Sequence, residues 1–354
     1  MAKSLQALHA TRGATLGEVG GQAVALSYGD FAEEVAAIES GLALLPLEAC
    51  GVLLVQGPEA LVFLNGLTTN DLNAVPVGGA QRTLLCANKG KILHDLVAVR
   101  FRDDGFLIIA EPGEAGAVAG HLDHYHVREE LQLGNVELLR VDLLGPRAEE
   151  ALTGVGIPPG TVEGTFAGAP VPAPRLPLGA VPRFLALGGE GNAAALVEAL
   201  LSASPEARLV GLEAYDEVRI RAGVPRAGVD FSQQHLPAEA ALYDRLSFDK
   251  GCYLGQETHA RMHYRGHPNR KLVALEIPEA AAASMGAGDE IFRDDGPVGT
   301  LTSLARQSRG GMRRAIAMVR FQAIGEASHF SARPGAPADI AHSRLASDLP
   351  GAPG

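Results

Sequence analysis

The stretch Lys250-Gly251-Cys252-Tyr253-Leu254-Gly255-Gln256-Glu257 sets a thiol between two glycines, with an ammonium before it and an amide and a carboxylate behind. The thiolate is the nucleophilic and metal-binding form of cysteine, and cations such as Lys250, Arg261 and Arg265 favour it. Such a thiolate is able to accept a one-carbon unit, exchange with a disulfide or hold iron, and the sequence does not choose among these. Gln256 and Glu257 either hydrogen-bond the loop and position a partner, or cap a following helix. Cys50 and Cys86 lie beside apolar strand residues in LEACGVLLV and RTLLCANK, where a free cysteine acts as a small hydrophobe.

Asp95 is a second candidate, because CANKGKILHDLVAVRF (86–101) reads as two strands across an Asn-Lys-Gly turn and a carboxylate inside an apolar strand is costly to bury alone. It either faces solvent or meets an amine or ring nitrogen in a pocket. His259, His263 and His267 recur every four residues, yet Gly266 and Pro268 break a helix there and no carboxylate follows at ligand spacing, so no metal site is expected. Residues 189–194, GEGNAA, satisfy a GxGxxA pattern, but no parallel sheet surrounds it to make a dinucleotide site. A GxSxG elbow is absent.

The elements that must position these groups show internal repetition. A strand, a Gly-Pro step and a helix occur at 52–68 and again at 138–157; a strand, a glycine turn and an amphipathic helix occur at 105–125 and at 183–203. The expected class is α+β, with two small sheets carrying helices on one side. From Lys271 short apolar runs broken by glycine predict a small antiparallel barrel, and the Pro, Ala and Gly-rich end predicts a disordered tail.

With 354 residues and 47% apolar content the chain has ample core for more than one unit. Three cysteines without a CxxC, no apolar run long enough to span a bilayer and no signal-like start predict a cytoplasmic protein without a membrane partner. A formal charge of −11 excludes a surface that is basic throughout, although 261–271 and 305–320 are basic runs without acids, solvated or facing an anionic partner.

Three stretches, FLNGLTTNDL (63–72), NKGKILHDLVAVR (88–100) and VRIRAGVPRAGVDF with LPAEA (218–240), resemble the folate-binding aminomethyltransferase of the glycine cleavage system. KGCYLGQE (250–257) resembles the signature of the YgfZ-type branch, whose mitochondrial relatives assist iron-sulfur cluster assembly. The resemblance covers roughly residues 40–325. It implies ferredoxin-like subdomains about a folate pocket: a folate-binding region at 1–270 with related halves at about 40–137 and 138–270, a barrel at 271–328 and a tail at 329–354. It also implies tetrahydrofolate, or a one-carbon derivative, as cofactor, held by Asp95, Arg219, Lys250, Gln256, Glu257 and Arg261, with Cys252 as the functional thiol. His94 and Arg221 stand where aminomethyltransferases carry acids. The expected function is therefore a folate-binding accessory to iron-sulfur enzymes, tRNA-modifying ones included, with those enzymes or assembly proteins as partners. Folate-dependent one-carbon transfer and tRNA binding through the basic runs are the alternatives.

Overall fold

A computed structural model describes residues 4–47, 50–325 and 329–347. The chain divides into two compact units, Met1–Leu84 with His94–Val218, and Leu85–Leu93 with Arg219–Gly354.

In the first unit α1 (Leu5–Thr11) precedes a hairpin of β1 (Thr15–Val19) and β2 (Gln22–Ser27). Helix α2 (Phe31–Ser40), capped by Asp30, leads into the fully buried β3 (Ala43–Leu47). Then comes β4 (Val52–Gln56), α3 (Ala60–Leu67), β5 (Ala80–Cys86), β6 (Ile92–Arg102), β7 (Gly105–Ala110), α4 (Ala115–Tyr125) and β8 (Gln132–Val136), the end of β5 and the start of β6 falling within the Leu85–Leu93 segment of the second unit. The sheet order is β5-β6-β7-β4-β8, with β4 antiparallel to both β7 and β8. The path β4-α3-β6-β7-α4-β8 is the ferredoxin-like one, with β5 added at the edge.

The phrase repeats from β9 (Leu139–Leu144) and α5 (Ala148–Gly154), through the small hairpin β10 (Thr165–Phe166) and β11 (Ala169–Pro170), to β12 (Arg183–Gly188), α6 (Glu190–Ala203) and β13 (Arg208–Leu209). In both copies the helix begins two residues after the proline, at Ala60 and Ala148, so neither proline occupies the first helical position. The preceding glycines have positive φ (+142° at Gly57, +107° at Gly145), and a Cβ there would strike the Glu130 and Gly41 carbonyls. The second sheet runs β12-β9-β3-β13, so the earlier strand β3 is wedged between β9 and β13. Leu44, Leu143, Phe184, Leu196 and Leu200 join the core beneath it. The strand before GEGNAA is antiparallel to its neighbour β9, and α6 serves as a packing helix.

Helix α7 (Leu212–Arg221) carries the chain from the first unit into the second. There α8 (Gln256–Arg265) is followed by β14 (Arg270–Pro278), α9 (Glu279–Ala282), β15 (Glu290–Arg293), β16 (Gly296–Leu304), β17 (Met312–Arg320), β18 (His329–Phe330) and β19 (Ile340–Ser343). The six strands are ordered β15-β16-β17-β14-β19-β18. Phe292 and Ser331 exchange backbone hydrogen bonds of 2.9 and 2.8 Å, joining the two outer strands into a barrel. Residues 329–347 were expected to lie in a disordered tail. They instead complete the barrel, because Phe330 and Ile340 are fully buried in its core. The rest of that expected tail, 348–354, lies outside the described residues.

Candidate functional site

Asp95 lies in the first unit on β6 and is only 5% exposed, so the solvent-facing reading does not hold. Its neighbour His94 hydrogen-bonds Glu114 through Nδ1 at 2.9 Å, at the start of α4. Successive strand residues point to opposite faces, so Asp95 faces away from that helix. Arg82 reaches it from β5, Nη1 to Oδ2 at 3.9 Å. The FLNGLTTNDL stretch fixes this edge: Asn70 Nδ2 donates to the Arg82 carbonyl (2.9 Å), Thr83 Oγ1 accepts the Asn70 N–H (3.0 Å), and Thr69 Oγ1 accepts the Leu84 N–H (3.0 Å). A buried carboxylate with a cation beside it, on the sheet face away from α4, fits an amino- or imino-bearing heterocycle such as a reduced pterin.

The other proposed residues belong to the second unit. Arg219 is 2% exposed and its donors are committed there: to Asp230 Oδ2 (2.6 Å), the Val224 carbonyl (3.2 Å) and Ser303 Oγ (3.0 Å). Asp230 also accepts from Thr302, Ser303 and the Arg226 N–H, which makes a fully bonded internal clamp. Arg221 donates to Gln307 at 2.9 Å.

Lys250 and Cys252 share the loop before α8, Gln256 and Glu257 form the helix's first turn, and Arg261 follows on its exposed side. Cys252 is exposed, while the Lys250 ammonium lies over the Tyr253 ring at 5.2 Å. Gln256 and Glu257 open the helix, but its cap residue is Gly255, with φ +85°. A Cβ on Gly255 would stand 2.9 Å from the Ala87 carbonyl and 3.0 Å from Gly90 Cα. The turn of the β5–β6 hairpin is thus pressed onto the cysteine loop. His259 closes the contact: Nε2 donates to the Gly90 carbonyl (2.8 Å), leaving Nδ1 to accept from the Tyr253 hydroxyl (3.2 Å). Burial lowers the His259 pKa, which keeps that neutral pattern, while the Gly90 carbonyl works in the opposite sense.

The remaining histidines go elsewhere: His263 stacks on Phe248 at 4.0 Å and His267 on Phe321 at 4.5 Å. Among the described residues no three His, Cys, Asp or Glu side chains form a group able to hold a metal ion. Burial raises the Cys50 thiol to about 12, with Arg140 opposing, and also raises Cys86. In the basic run 305–320, Arg313 and Arg314 pair with Glu279 and Glu276. Among the described residues no helix is long and apolar enough to cross a membrane. Sequence reasoning missed Arg82, Glu114 and Asp230; an arginine on the strand facing Asp95 across a recognised hairpin was the one available signal.

Comparison with known proteins agrees with this architecture. The GCVT N-terminal domain family matches residues 5–158. An aminomethyltransferase of Streptomyces avermitilis is 30% identical over 311 residues, covering 81% of this chain and 82% of that one. One from Mycobacterium leprae is 29% identical over 308 residues, covering 84% and 83%. The crystal structure of glycine cleavage system aminomethyltransferase T from Bartonella henselae superposes with a TM-score of 0.81 over 92% of this chain and 91% of that one, at 24% identity, a likeness of fold. With its ferredoxin-like sheet, terminal barrel and relatives matched over most of their length, the chain belongs to the aminomethyltransferase family.

Proposed function

We propose that the chain binds tetrahydrofolate and serves one-carbon transfer of the aminomethyl type. The observation that carries this reading is the buried Asp95 carboxylate with Arg82 beside it, on the strand where the resemblance puts a pterin-binding acid. A reduced folate, when bound, supplies the nitrogens that carry the one-carbon unit. Asp95 would accept a hydrogen bond from its ring or amino N–H, and Arg82 would orient Asp95. The names of the relatives support the same reading. His94 does not weigh against transfer, because it faces α4 rather than the Asp95 side and is already joined to an acid, Glu114. Arg221 remains a departure from the family pattern.

The second reading is the YgfZ-type accessory role toward iron-sulfur enzymes, and one observation favours it: Cys252 is exposed on a loop whose backbone is locked by Gly255. One experiment separates the two. The purified protein is given tetrahydrofolate and an aminomethyl-loaded carrier protein, and methylenetetrahydrofolate is followed. Transfer predicts turnover that Asp95→Ala lowers about tenfold or more at limiting folate and Cys252→Ser spares. The accessory role predicts no turnover, with Cys252→Ser failing to restore iron-sulfur enzyme activity in a deletion strain.

A further inference from the structure

The second unit contains a cavity of about 420 Å³ between residues 228–235 and the barrel wall. Two arginines line it, Arg270 at the start of β14 and Arg320 at the end of β17, and they are directly opposed partners on neighbouring antiparallel strands. Like charges directly opposite across a ladder repel, and the Glu239 carboxylate beside them is paired with Arg270. Arg270 spends its Nε on Glu239 at 3.2 Å, which leaves the outer nitrogens of its fork. Arg320 differs from Arg313 and Arg314 on the same strand: those two are held by acids, whereas Arg320 has no ion pair among the described residues.

A third donor stands in the same lining. His235 Nδ1 lies 3.0 Å from the Ser232 N–H and 3.3 Å from the Ser232 carbonyl; the shorter contact, in which Nδ1 accepts, leaves the ring proton on Nε2. Burial, and then Arg270, lower the His235 pKa, while the Ser232 backbone and Glu239 work in the opposite sense. The base of the cavity is rigid, because Thr302 donates to Asp230 at 2.6 Å and Asp230 in turn holds Arg219. That clamp already occupies Asp230. The other carboxylate in the lining, Glu290, is on β15, two strands from Arg320.

We propose that this cavity binds a small molecule through a phosphate or carboxylate group, gripped by Arg270 and Arg320 with the His235 Nε2–H as a third donor. Planar guanidinium forks match the spacing of oxyanion oxygens, which makes such a pair selective for anions of this shape. The site is separate from the folate reading, since its lining includes neither Asp95 nor Cys252.

The test is calorimetric titration of the full chain at low ionic strength with inorganic phosphate and, separately, with succinate. Saturable binding of one probe is expected, weakened about tenfold or more by Arg320→Ala and further by Arg320→Glu, as for loss of a charge-assisted hydrogen bond. A preference for phosphate identifies a phosphate-bearing ligand, and one for succinate a carboxylate. Arg320 is exposed, so both variants should fold, which circular dichroism checks. Tetrahydrofolate affinity, measured in the same variants, is expected to stay unchanged. The proposal is overturned if neither probe binds, if both variants bind like the native protein, or if folate affinity falls in step, which would assign the arginines to folate's own tail.

Discussion

Removing the Asp95 carboxylate tests folate binding at a single atom group. Loss of one charge-assisted hydrogen bond costs about 1.5–3 kcal/mol, so Asp95→Ala is expected to weaken tetrahydrofolate roughly tenfold to hundredfold by calorimetry. The three thiols make a second, independent prediction. Cys50 and Cys86 are buried, whereas Cys252 is exposed. Iodoacetamide, with peptides followed by mass across a pH series, should therefore modify Cys252 well before the other two in the folded protein. Burial also raises the pKa of both inner thiols, so they should stay unmodified even at mildly alkaline pH. That division was legible in the sequence because apolar neighbours announce a buried cysteine. The partner of Arg219 was not: Asp230 and Ser303 meet it through folding, and no spacing rule connects a helix end to a barrel strand.

At the scale of elements, the contact between the hairpin turn and α8 predicts a pH dependence. Burial holds the folded-state pKa of His259 below its ordinary value of 6.5, so the unfolded chain takes up the proton first. Its contribution to stability is intact above pH 6.5 and is lost as pH falls below that value. His121 and His235 are also lowered by burial and act in the same direction. Urea midpoints should therefore drop between about pH 7.5 and about pH 5.5, and His259→Gln should reduce that drop while leaving part of it. An unchanged slope in the variant would remove His259 from the account. The strand-Gly-Pro-helix phrases were readable because turn chemistry is local. The wedging of β3 between β9 and β13 was not, since strand order within a sheet leaves no local trace.

For the molecule as a whole, barrel closure rests on residues whose composition reads as a tail. Pro, Ala and Gly dominate that segment, and its order comes from a distant strand edge at Phe292 and from a core that Phe330 and Ile340 enter. Phe330→Ala should cost about 3–5 kcal/mol, the usual range for emptying a buried aromatic site, and should bring forward the melting of the second unit. Hydrogen exchange at the β14–β19 and β15–Ser331 pairings would report it; full protection there in the variant would contradict the assignment.

The strand order also sets a timetable for biosynthesis. β14 lies between β17 and β19, so as the chain leaves the ribosome four strands can pair while one side of β14 and the outer side of β15 wait for residues not yet translated. Unpaired strand edges are templates for joining another chain. Until Ser343 has emerged, the nascent protein presents two of them, and a translational pause in that interval exposes it to chaperones or to another copy on the same message.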